Sequence, residues 1–131
     1  MEQNEKTRAL LAAFGCALAY LLAGKALTAG LPQVPEEAAR MWAFVHRCAA
    51  APIVEELVFR GAIQQLARPL GERQAVALQA VLFAVQHRGP AGMAYALVCG
   101  LGLGWLADRT GHLWPGVLLH SANNLLVLAM G

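Results

Sequence analysis

The sequence predicts an all-α, multi-pass membrane bundle of about five helices, folded as a single domain over residues 1–131. Three observations predict it. Hydrophobic residues make up 58% of the 131 positions and charged residues 14%, where soluble domains run at about 45–50% apolar and about 25% charged. A soluble chain this short has too little interior to hide that much apolar surface. Long apolar runs recur almost without charge, separated by polar turns holding proline or glycine, and no strand pattern is evident. A net charge of +2, scattered along the chain, does not describe a nucleic-acid binder. Cys16, Cys48 and Cys99 are widely spaced within apolar runs and read as small buried hydrophobes, not as a disulfide framework or a metal motif.

The elements follow in order. From Ala9 to Leu31 the only charge in 23 residues is Lys25, and about 20 residues cross a hydrocarbon core. A cleaved signal peptide is the rival reading of this segment, because Lys6 and Arg8 precede it. The run is long for such a leader and the chain stays hydrophobic afterwards, so a retained first span is expected. Pro32–Arg40 is a polar connection, and Pro35 with Glu36 and Glu37 suits a helix start. The second helix is expected over Pro35 to Ala67, kinked at Pro52. Arg68–Arg73 is a turn, and a short third helix covers Gln74 to about His87, where Arg88, Gly89 and Pro90 break it. Gly89–Ala107 and Leu113–Gly131 each hold 19 residues without Asp, Glu, Lys or Arg and give two further spans. Lys6, Arg8, Arg68, Arg73 and Arg109 then share one side, which places the N-terminus in the cytoplasm. The chain is thus expected in the cell membrane as a multi-pass protein. Trp42, Trp105 and Trp114 fall near span ends, as in an interfacial aromatic belt.

Ionisable residues inside spans are costly and usually functional. The second helix carries His46, Arg47, Glu55, Glu56 and Arg60 among apolar residues. Arg60 lies four residues after Glu56, on nearly the same face, and can neutralise it. Glu55 points about 100° away and is left free for chemistry. Phe83 and His87 form an i,i+4 pair on the third helix, as do His120 and Asn124 on the fifth. Counted at 1.5 Å per residue from their common side, Glu55 lies roughly 18 Å deep, His87 roughly 20 Å, His120 roughly 10 Å and Asn124 roughly 16 Å. The depths overlap, so one pocket can hold all four. Glu55, His87 and His120 also make a plausible zinc ligand set with an open fourth position. Gly100, Gly102 and Gly104 are read as close helix packing, since no strand precedes them as a phosphate loop requires. Asn123 is read as a hydrogen-bonding residue between helices.

Glu55-Glu56-Leu57-Val58-Phe59-Arg60, Phe83-Ala84-Val85-Gln86-His87 and His120-Ser121-Ala122-Asn123-Asn124 resemble, in order, the EExxxR, FxxxH and HxxxN motifs of the CPBP family, the CAAX-type prenyl-protein endopeptidases and bacteriocin-processing Abi proteins. The resemblance covers a core from about Trp42 to Met130. It implies an intramembrane endopeptidase acting on a membrane-associated or lipidated peptide or protein. It further implies a glutamate-dependent, metal-free mechanism without cofactor, zinc remaining the alternative. Carried over residue by residue, Glu55 is the general base, His87 holds the same water, and His120 and Asn124 donate to the oxyanion. Glu56, Arg60 and Phe83 are the structural support. Family members have more spans before the first motif than this chain, which raises a homo-oligomer that completes the pocket walls. The expected partners are the substrate and the lipid bilayer, with no nucleic acid. Two other readings stay open: a non-cleaving binding or bacteriocin-immunity protein of the same fold, and a small transporter or proton-relay subunit.

Overall fold

The computed structural model describes residues 2–29 and 33–131. The expected end of the first span at Leu31, and Pro32 of the connection after it, lie outside the described residues. Among those described the chain is helical, without strands, in five runs. These are α1 (Glu2–Thr28), α2 (residues 36–66), α3 (Glu72–Ala84), α4 (Gly89–Thr110) and α5 (Trp114–Met130). A 3-10 turn at Arg68–Leu70 joins α2 to α3.

α2 is the central element. α1 and α3 pack against its second half, α5 against its first half, and α4 joins α3 to α5. The helix is not uniformly wound. Two π segments, His46–Ala50 and Glu56–Ile63, interrupt it, and Pro52 is the second residue of the α-helical segment Ala51–Glu55 between them. The kink expected from Pro52 therefore takes the form of a changed hydrogen-bond register. α1 buries Ala9, Ala13 and Ala17, small residues four apart that let it lie close to its neighbour.

α3 differs from its expected bounds at both ends. It starts at Glu72 instead of Gln74 and stops at Ala84, so His87 sits three residues past the helix, in the turn ahead of α4. The His87 amide bonds to the Ala84 carbonyl at 3.0 Å, a tightened last turn that places the ring back over Phe83.

Polarity is distributed in the reverse of a soluble protein. Glu56, Arg60, Gln64, Gln79 and His120 are buried, while large apolar side chains such as Leu11, Leu22, Val98, Leu118 and Leu126 stand outward. Exposed apolar surface of this extent requires a non-aqueous neighbour. Two helices, α1 and α4, are long and apolar enough to cross a membrane. α3, with 13 residues, rises only about 20 Å at 1.5 Å per residue, short of a hydrocarbon core about 30 Å thick. α5 has 17 residues. Of the about five spans expected, five helices are present, and among the described residues two of them are long and apolar enough to cross a membrane.

Candidate active site

The first half of α2, the turn after α3, α4 and α5 enclose a cavity of about 780 Å³. Glu55, His87, His120 and Asn124 all line it, drawn from α2, the turn after α3, and α5. Phe83, His46 and Arg47 line it too. Behind it lies the buried support.

His120 is the hinge of the arrangement. Its Nδ1 lies 2.9 Å from Glu56 Oε1, and its Nε2 lies 3.4 Å from Glu55 Oε2. A carboxylate accepts, so the Glu56 contact places a proton on Nδ1 and turns Nε2 toward Glu55 and the cavity. Sequence spacing gave Glu56 one partner, Arg60; packing gives it two. The Glu56 and Arg60 side chains are both 0% exposed, and Arg60 Nη1 lies 3.1 Å from the same Oε1. That contact is an ion pair without hydrogen-bond alignment, for the guanidinium nitrogens have no aligned acceptor among the described residues. The guanidinium instead lies over the Phe83 ring, 4.6 Å from its centroid. Gly116 of α5 faces the other oxygen of Glu56: a Cβ there would come within 2.8 Å of Oε2, so no larger residue fits without displacing the carboxylate.

Phe83 ties the parts together. Its ring meets those of Phe59, His87 and His120 at centroid distances of 5.1, 4.8 and 5.8 Å, each in a steep edge-type arrangement. His87 is oriented a second way. Its Nδ1 lies 3.0 Å from the Phe83 carbonyl oxygen, which can only accept. Nδ1 therefore carries the proton, and Nε2 is left as an acceptor that can take a water hydrogen.

Asn124 donates its side-chain amide to the Arg47 carbonyl of α2 at 2.8 Å. Its neighbour Asn123 accepts from the Tyr95 hydroxyl of α4, a bond between helices of the kind expected for it. Sequence reasoning missed Tyr95, Cys99 and Trp105 as cavity walls, because nothing in a uniformly apolar helix marks the side that faces α5. It also missed buried Gln64 and Gln79, which donate to the carbonyls of Gly104 and Gly100 at 3.0 and 2.8 Å. Gln64 had a readable signal: it continues the four-residue spacing of Glu56 and Arg60. Gly100 packs against Ala80, the close approach expected there, whereas Gly102 meets nothing within 4 Å.

Among the described residues, no three His, Cys, Asp or Glu side chains form a group arranged to hold a metal ion. What the site offers chemically is an acceptor imidazole, a partly exposed carboxylate, a second imidazole between two carboxylates, and a carboxamide, all on one cavity. The model of the family described as Type II CAAX prenyl endopeptidase Rce1-like matches residues 37–126, more than half of the chain. No curated protein and no solved structure matches.

Proposed function

The chain belongs to the Rce1-like family of type II CAAX prenyl endopeptidases, and from that premise we propose that it is a multi-pass intramembrane endopeptidase whose general base is Glu55. The family makes it a protease. The observation that carries the finer reading is the meeting of Glu55 and His120, backed by buried Glu56, at a cavity that His87 and Asn124 also line.

In this reading a water sits between Glu55 and His87 Nε2. Glu55 removes its proton as the oxygen attacks the peptide carbonyl. His120 donates from Nδ1 to Glu56 and, when Nε2 also carries a proton, from Nε2 to the developing oxyanion, and Asn124 supplies a further N–H. Glu55 then passes its proton to the departing amine, and the C–N bond breaks. The buried Glu56–Arg60 pair keeps His120 at a fixed angle throughout. Acid–base use of the site, without metal, is supported by both His120 nitrogens facing carboxylate oxygens. The bundle as a whole sits in the bilayer, supported by its outward apolar side chains and buried charges. α3 reaches into the membrane without crossing it. The substrate is a membrane-associated or lipidated peptide.

The test is hydrolysis in liposomes of a synthetic peptide ending in a farnesylated cysteine and three further residues, run in ¹⁸O-water and read by mass spectrometry. Cleavage with one solvent oxygen in the new carboxyl group is expected. A chain that binds this peptide and a wider lipidated library yet yields no product would be a binding protein, and the proposal would fall.

A further inference from the structure

α2 changes its winding where it passes the cavity. In the π turn His46–Ala50 the Ala51 amide bonds to the His46 carbonyl, five residues back. The next bond in that register would run from residue 52 to the Arg47 carbonyl. Residue 52 is proline and has no N–H to give. The Arg47 carbonyl is thus left for a partner outside the helix, and Asn124 of α5 takes it at 2.8 Å. π turns are frequent at functional sites because they open the backbone ladder in this way.

A carboxamide has two N–H donors. Fixing one on a backbone carbonyl sets the plane of the Asn124 side chain and leaves the second for the cavity it lines. Pro52 itself is buried and is not part of the cavity wall. We propose that Pro52 is a positioning residue of the active site: by withholding an N–H from the Arg47 carbonyl it reserves that carbonyl for Asn124 and so aims the carboxamide at the substrate oxygen. This rests on Asn124 acting as an oxyanion donor, as proposed above.

Pro52→Ala supplies the missing amide, which then competes with Asn124 for the Arg47 carbonyl. A proline that merely bends α2 would give a variant of altered stability and ordinary kinetics. The present proposal expects kcat for the farnesylated peptide to fall by up to about 10²-fold, the cost of a misplaced group, with KM unchanged and the unfolding midpoint no lower. Pro52→Ala combined with Asn124→Ala should be no slower than Asn124→Ala alone. A readout free of turnover accompanies this. The chain has three asparagines, Asn4, Asn123 and Asn124, so selective ¹⁵N labelling gives three side-chain amide pairs, and the pair absent in Asn124→Ala should move in Pro52→Ala. Pro52→Gly restores the same amide and serves where Pro52→Ala does not fold. Wild-type kcat and an unmoved Asn124 amide in either variant, with Asn124→Ala still slow, would overturn this proposal and leave the proposed function standing. Wild-type turnover in Asn124→Ala would overturn the oxyanion role and this proposal with it, while leaving Glu55 as base untouched.

Discussion

Among the described residues two buried polar clusters differ in what they face. Gln64 and Gln79 are sealed between α2, α3 and α4, each donating to a backbone carbonyl of α4. Glu55, Glu56 and His120 lie against α5 and open on the cavity through Glu55, whose side chain is 22% exposed. Both clusters sit inside a largely apolar chain, where any polar group is conspicuous. Only the second contains titratable groups within reach of one another and of the cavity. Burial of polarity therefore does not by itself mark chemistry. The amides fasten helices that have no hydrophobic reason to prefer one another in lipid, whereas the carboxylates and imidazoles meet one another at the cavity, as the proposed proton transfers require.

That contrast separates the effects of substitutions. The largest is expected at Arg60, which backs the open cluster. Arg60→Leu leaves the buried Glu56 carboxylate with His120 as its remaining partner, and removing one partner of a buried ion pair costs about 3–5 kcal/mol. It should appear in an unfolding titration or as loss of folded yield, and a normally stable Arg60→Leu protein would remove the ion pair from the account. Glu56→Gln comes next. It removes the charge from the hydrogen bond to His120, a charge-assisted bond being worth about 1.5–3 kcal/mol, and takes the ion-pair partner from Arg60. Because one of those contacts orients His120, kcat should fall together with stability; a loss of stability alone would return Glu56 to a purely structural role. The smallest effect is expected in the sealed cluster. Gln79→Leu removes bonds to the carbonyls of Val76 and Gly100, and interhelical bonds of this kind contribute about 0.6–2 kcal/mol. Turnover per folded molecule should not change. Slowed chemistry in this variant would erase the distinction between the two clusters.

The same contrast explains what could be read from the sequence. The five helices were legible because charge-free runs and proline or glycine breaks mark ends directly, as at Arg88-Gly89-Pro90 and Asp108–His112. The motif residues were legible because Glu, Arg and His stand out among Leu and Ala. The end of α3 was not: Val85 and Gln86 are no worse in a helix than Val81 and Leu82, and only the tertiary path to α4 ends it at Ala84. The bond from His120 to Glu56 was hidden because it joins residues 64 apart in the chain, and spacing along one helix reports only neighbours one turn away. The π turns were hidden because no residue pattern encodes them, and Pro52 announced a disturbance without its register. Gln64 and Gln79 passed unnoticed because uncharged amides do not break an apolar run as a carboxylate does. Counting α3, expected to be short, among the about five spans overstated their number, because its 13 residues rise less than a hydrocarbon core is thick.

The most direct test of the central claim is the cleavage rate of Glu55→Gln beside wild type in liposomes, each with and without a strong chelator. Glutamine keeps the shape and hydrogen bonding of Glu55 but cannot accept the proton. The expected result is wild-type cleavage unchanged by the chelator and a Glu55→Gln rate lower by about 10²–10⁴-fold, with peptide binding retained. Wild-type turnover in Glu55→Gln would contradict the role of the base. A chelator-inactivated enzyme restored by zinc would convert Glu55, His87 and His120 from proton-handling groups into metal ligands.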